Sequence, residues 1–274
     1  MSPIITLTTD FGLTGHYVAQ MKGAILSINP AAQLIDITHA IGPQNVRQGA
    51  VAMRDATVMF PTGSVHVGVV DPGVGTARKI VYAEIDGRHY IAPDNGLLGL
   101  VQRGATNVTR IIAVENRKYW REVVSTTFHG RDIMAPVAAH VSLGVDPTDL
   151  GKTLTAMQTL DWPEPLVTPS AAQGEIVEID HFGNAITNLR QEHLPGATPQ
   201  HWGQVEILAG SSLRISGLSA TYGERASGAG AALIGSGGYL EIAVVGGSAA
   251  ERFSLQVGDA VTVCWSAKAS PTPR

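Results

Sequence analysis

The sequence holds a single cysteine, Cys264, among 274 residues. No disulfide can form within the chain, and such cysteine usage suits a reducing cytoplasm, which is the expected location. Lysine and arginine number 19 against 23 acidic residues, a net charge of −4. A basic excess of the kind that holds a phosphate backbone is missing, so nucleic acid is not an expected partner. No uncharged apolar run is long enough to span a bilayer, so no membrane partner is expected. The start, "MSPIITLTTDFG", lacks a basic region followed by a long apolar segment, and no signal peptide is read there. Nucleotide-binding signatures are also wanting. No GxxxxGK[ST] loop occurs, and "GVG" at 73–75 has neither the third glycine of a dinucleotide fingerprint nor a helical pattern after it.

What is plentiful is glycine, 31 residues, within a composition that is 44% hydrophobic. The chain is long enough for one large domain or two modest ones. Its first 160 residues alternate between two periods. "PIITLTT", "AQLIDITHAI", "SVHVGVVD" and "VTRIIAVE" read as strands, and "KIVYAEIDGRHYIAP" as a hairpin turning at Asp86-Gly87. "GHYVAQMKGAILSINP", "NVRQGAVAMRDATVMF" and "GRDIMAPVAAHVSLG" read as helices, the last with Pro136 in an early turn. This alternation predicts an α/β layered domain with a largely parallel sheet, whose ligand edge lies at the carboxyl ends of the strands.

Pro163, Pro165 and Pro169 mark a change of texture, read as a linker over 163–173. The expected division is an α/β domain over 1–162, that linker, a second domain over 174–268 and a flexible tail over 269–274. After the linker come short alternating runs between glycine-rich turns, which predict a smaller all-β barrel or sandwich.

Charged residues gather at predicted strand ends. Asp10 in "TTDFG" ends the first strand, and could chelate a pair of hydroxyls or simply cap the next helix. Asp71 ends "SVHVGVVD", and Arg78 follows after a Pro-Gly turn; this pair is either a surface ion pair or half of a reaction centre. "TTFHGRDIMAP" sets His129, Arg131 and Asp132 before a helix, and "APDNG" at 92–96 reads as a turn and a cap. In the second half "IDHFGNAITN" gathers Asp180, Phe182, Asn184 and Asn188 about one glycine. An acid, an aromatic face and an amide could grip a nucleobase and an amino group, or merely close a hairpin. A metal-dependent hydrolase using Asp10, Asp71, Asp94, His129 and Asp132 is one alternative, although zinc-type ligand spacing is missing. A binding protein without turnover is another.

Taken together, "TDFG…YVAQMKG", "VDPGVGTAR", "APDNGLL", "FHGRDIMAP", "IDHFGNAITN" and "GSGGYLEIA…GSAA" span nearly the whole chain. In that order they resemble the S-adenosyl-L-methionine hydroxide adenosyltransferases, relatives of the bacterial fluorinase and chlorinase. The resemblance implies hydrolysis of S-adenosyl-L-methionine to adenosine and L-methionine, without a metal or other cofactor. It implies a homotrimer whose substrate sites lie between the N-terminal domain of one subunit and the C-terminal domain of the next. It assigns water activation to Asp71, Arg78 and His129; on chemical grounds Arg78 is expected to favour hydroxide while Asp71 and His129 orient the water and accept its proton. It places the ribose hydroxyls on Asp10 and further substrate contacts on Asp180, Phe182, Asn184 and Ser236, with the backbone near Gly246 closing the pocket. Asp71 stands where the halogenating relatives have tyrosine, which disfavours halide transfer. The chain departs from the pattern at Gly15 and Asn45, where acids are usual, and at Gly235, where asparagine is usual. The departures at Gly15 and Gly235 bear on contacts to the methionine portion.

Overall fold

The computed structural model describes residues 2–210 and 212–265. The tail expected at 269–274 lies outside the described residues. The chain divides into two compact units, Met1–Asp161 and Trp162–Arg274.

Six strands form the sheet of the first unit: β1 (Ile4–Thr9), β2 (Gln33–Thr38), β3 (Val65–Val69), β4 (Ile80–Ile85), β5 (Arg88–Pro93) and β6 (Val108–Ala113). Their order is β2-β1-β3-β5-β4-β6. The first four in that order run parallel, while β4 is antiparallel to both β5 and β6. Helices α1 (Tyr17–Leu26), α2 (Val46–Thr57), α3 (Gly99–Arg103) and α4 (Ala135–Ser142) complete the unit. Alternation along β4 shows how both faces of the sheet are covered. Ile80 and Tyr82 join a core with Met21 and Ile25 of α1 and Val137 and Val141 of α4. Val81, Ala83 and Ile85 join another with Met53 of α2 and Val101 of α3. A parallel sheet buried on both faces needs apolar residues at consecutive positions, as the fully buried run "VHVGV" of β3 shows.

Local chemistry fixes the connections. Asp86 and Gly87 take φ of 47° and 72°, the paired left-handed residues of a type I′ hairpin between β4 and β5. Asn45 caps α2, its side chain accepting from the Gln48 amide at 3.0 Å. A π-helical turn over Gly130–Met134 leads into α4; Pro136, early in α4, has no N–H for the Asp132 carbonyl, which accepts from the Arg121 amide at 2.9 Å instead.

The second unit is a coiled, barrel-like antiparallel sheet. Its strands are β7 (Leu166–Val167), β8 (Ala171–Ile179), β9 (Ala185–Arg190), β10 (Glu206–Ala209), β11 (Leu213–Ser216), β12 (Gly230–Ile234), β13 (Tyr239–Val244) and β14 (Ala260–Cys264). The path runs β11-β10-β14-β8-β9-β13-β12, with β7 paired to β8. The segment 163–173, read from its prolines as linker, therefore carries β7 and the first residues of β8. A short helix, α5 (Ala249–Phe253), is capped by Ser248. Inward residues of alternate register, among them Ile176, Leu189, Ile207, Leu240, Ile242 and Val261, build a separate core. Among the described residues no helix is long and apolar enough to cross a membrane.

Candidate active site

Strand register brings the first acids together at one edge of the sheet. Thr9 of β1 lies opposite Val69 of β3, and both strands run the same way. Asp10 and Asp71 therefore leave the sheet at its carboxyl edge, where α/β sheets bind ligands. β4 is antiparallel, so its entry, and Arg78 two residues before it, lies at that same edge. The turn between Asp71 and Arg78 depends on Gly75, which takes φ of 78° and packs against the backbone of the next motif. A Cβ there would stand 2.5 Å from the Thr126 carbonyl oxygen. This close approach sets the turn beside the segment that carries His129.

The result is a connected set. Arg78 Nε donates to Asp71 Oδ1 at 2.9 Å, and Nη2 donates to Asp71 Oδ2. The same Nη2 lies 3.0 Å from His129 Nδ1. Guanidinium is donor only, so Nδ1 must accept, and the neutral ring carries its proton on Nε2. The side chains of Arg78 and Asp71 are only 11% and 5% exposed. Burial holds the His129 pKa below its ordinary value, and the Arg78 charge adds to that; Asp71 and Asp132 oppose it. The ring is thus neutral at pH 7. A cleft of about 600 Å³, lined by Arg78, His129, Lys79, Glu115, Trp120 and Thr126 among others, opens beside this set.

Neighbouring candidates divide by what already engages them. Asp10 Oδ2 accepts from the Gln44 amide at 2.8 Å, a contact that holds Gln44 at φ of 62°. Asp132 is fully buried, paired with Arg131 and accepting from the Ser125 amide at 2.9 Å. Asp94 accepts from the Gln158 amide at 2.7 Å, and Asn95 donates to the Val70 carbonyl at 2.8 Å. Asp94 and Asp132 thus have structural duties of their own. Among the described residues no three His, Cys, Asp or Glu side chains converge as a metal set.

In the second unit, the β8–β9 loop holds three of the sequence-selected residues. Asp180 Oδ1 accepts from the amides of Phe182 and Asn184, at 2.9 and 2.8 Å, and Oδ2 accepts from Asn184 Nδ2 at 2.9 Å. These bonds shape the loop and fix the carboxylate, whose Oδ2 keeps room to accept again. Asn184 is buried, while Phe182 stands 74% exposed, an aromatic face offered outward. Gly183, at φ of 82°, has no room for a side chain against Ser248. Ser236 is exposed on the β12–β13 turn, and Gly246, at φ of 73°, follows β13.

Sequence models described as the SAM hydroxide adenosyltransferase N-terminal and C-terminal domains match residues 5–151 and 174–262. The chain belongs to the S-adenosyl-L-methionine hydroxide adenosyltransferase family. It is 35% identical over 267 residues to an (R)-S-adenosyl-L-methionine hydrolase of Salinispora tropica, covering 96% of this chain and 98% of that protein. It is 36% identical over 264 residues to the hydrolase of that name from Thermus thermophilus, covering 94% and 98%. A crystal structure of an uncharacterized conserved protein from Thermotoga maritima superposes with a TM-score of 0.89 at 35% identity, over 95% of this chain and 99% of that one.

Two groupings in the structure have no motif in the sequence that announces them. Phe11, Tyr17 and Phe128 pack edge to face or tilted, with centroids 5.4–5.8 Å apart, and line a cleft of about 410 Å³ with Gln20 and Arg131. The spacing of α1 puts Tyr17 on its apolar stripe, but only contact with two distant phenylalanines shows the cluster. Glu241, 7% exposed, binds the Tyr222 hydroxyl from within β13. An acid inside the run "YLEIAVV" was the signal for it.

Proposed function

We propose that the chain hydrolyses S-adenosyl-L-methionine to adenosine and L-methionine through in-line attack of water or hydroxide on the ribose 5′ carbon. The new bond joins oxygen to that carbon. The carbon–sulfur bond breaks with its electron pair passing to sulfur, and methionine leaves as a neutral thioether. A sulfonium leaving group needs no general acid, so the task of the site is to supply the nucleophile.

The observation that carries this reading is the Asp71–Arg78–His129 set at the carboxyl edge of the sheet. Simple ligand binding has no need of a buried guanidinium clasped by a carboxylate and an imidazole. Arg78 stabilises hydroxide through its charge, and His129 presents Nε2–H as a donor to the same oxygen. The expectation that His129 and Asp71 both accept the water's proton narrows to Asp71, because the Arg78 hydrogen bond occupies Nδ1 of His129. Asp10 fixes the ribose hydroxyls, contributing positioning. Asp180, Asn184, Phe182, Ser236 and the backbone near Gly246 hold the remainder of the substrate, and Asp180 also shapes the loop it shares with Phe182 and Asn184. No step calls on a metal or redox group. The reading includes a homotrimer in which the two sets of residues are contributed by different subunits; the outward face of Phe182 supports it.

Incubating the purified protein with S-adenosyl-L-methionine and following adenosine and methionine by chromatography tests the reaction. Turnover insensitive to chelator is expected, and adenosine no higher than the uncatalysed control would overturn the reading. Arg78→Met should lower kcat by about 10²–10³-fold, the cost of one lost electrostatic stabiliser. Calorimetric affinity for the substrate should change far less; equal losses would reduce Arg78 to shaping the pocket.

A further inference from the structure

Glu241 stands at the centre of β13, with Leu233 of β12 opposite on one side and Ile186 of β9 on the other. Register puts it on the outer face of the barrel, since Leu240 and Ile242 point into the core. An outward glutamate in such a strand normally extends into water. This one is 7% exposed. Its Oε1 accepts from the Tyr222 hydroxyl, and among the described residues Oε2 has no hydrogen-bond partner.

Space explains where Oε2 points. A Cβ placed on Gly235 would stand 2.5 Å from it, so the carboxylate fills the volume that any side chain at 235 would claim. Gly235 begins the turn that carries Ser236, and the Glu241 carboxyl senses the charge of Asp180 at the neighbouring loop. The acid therefore sits amid the residues assigned to the substrate, with one oxygen tied down and the other open.

We propose that Glu241 receives the α-ammonium group of the methionyl part of the substrate, Oε2 accepting at the gap left by Gly235 while Tyr222 fixes Oε1. This rests on S-adenosyl-L-methionine being the substrate. Of its two cationic centres, the sulfonium has no N–H to donate, whereas the ammonium offers three donors. Sulfur must lie at the reacting carbon near Arg78, so the ammonium, three carbons along the chain from it, is the centre left for a second acid. Burial holds the Glu241 carboxyl above its ordinary pKa, Asp180 adds to that and Tyr222 opposes it. A buried carboxylate of this kind lacks a cation, which the ligand supplies. Glu241 is a positioning residue here, remote from the bond that breaks.

Glu241→Gln keeps an acceptor for Tyr222 and removes the charge. Calorimetry should show the Kd for S-adenosyl-L-methionine rising about 10- to 100-fold, as for loss of a charged hydrogen bond. Affinity for adenosine, which has no ammonium, should stay within about twofold, and KM should rise with kcat retained. Gly235→Ala keeps the charge but drives the carboxyl from the gap. It should weaken S-adenosyl-L-methionine selectively too, and it serves as the check if Glu241→Gln loses its fold. Tight wild-type binding left unchanged by both variants would overturn the inference alone, as would equal weakening of adenosine. Failure of the wild type to bind S-adenosyl-L-methionine would overturn the substrate reading and this inference with it.

Discussion

A guanidinium bound to a carboxylate and an imidazole at once decides where protons reside. Arg78 cannot accept, so His129 must be neutral at Nδ1 for the 3.0 Å contact to exist. Protonation would set two donors face to face. Because burial and Arg78 both lower the His129 pKa, the set stays intact until the pH falls below the ordinary histidine value of 6.5. Activity present above that value should be lost as the pH falls through the lowered one. The kcat/KM profile should therefore show an acid limb with its midpoint below 6.5. In His129→Asn, whose side-chain oxygen can still accept from Arg78, that limb should vanish. A wild-type midpoint at or above 6.5 would contradict the assignment. The acid and the arginine were legible in "VDPGVGTAR" because a Pro-Gly turn between two charges announces itself locally. The tautomer was not, since it is set by a contact 51 residues away in sequence. Asp180 shows the converse. Its residue type suggests a ligand for the substrate, but the amides nearby in sequence that fix its carboxylate could not be read from that type.

Elements transmit these constraints through close packing. Gly68 in β3 and Gly49 in α2 sit at close approaches between that helix, the sheet and the loops at its edge. A Cβ on Gly68 would collide with Met53 Sδ and stand 2.9 Å from Leu97 Cδ2; one on Gly49 would lie 2.8 Å from Leu97 Cδ1 and 3.0 Å from Val70 Cγ2. Asp71 follows Val70 directly, so this contact seats the strand that carries the nucleophile site. Gly68→Ala should destabilise the fold by about 1–3 kcal/mol through overpacking, read as a lower urea midpoint with unchanged slope. Stability within a few tenths of the wild type would show that Met53 yields freely. Strands and long helices of this unit could be read from composition, period and caps, because β3 is valine-rich and α2 is bounded by Asn45. The five-residue helices α3 and α5 are too short to display a 3.6 period, and the π-helical turn at Gly130–Met134 has no sequence signature separate from a helix start.

At the scale of the molecule, two units each possess a core of their own, and the residues assigned to the reaction and to the substrate are shared between them. The change of texture at Pro163 marks the region where they divide. It does not reveal that β7 pairs with β8 there, because two residues of edge strand carry no periodicity. If the sites are completed by a second subunit, as the homotrimer reading holds, defects in the two units should complement each other. Arg78→Met disables the first unit's set, and Asn184→Ala the second unit's. Each variant alone should be nearly inactive. Unfolding and refolding an equal mixture scrambles the subunits, and about a quarter of the sites then draw one intact half from each parent. Adenosine formation should return to about that fraction of the wild-type rate, while each variant refolded alone stays inactive. Sites built within one chain would show no recovery, because every chain in the mixture carries a defect.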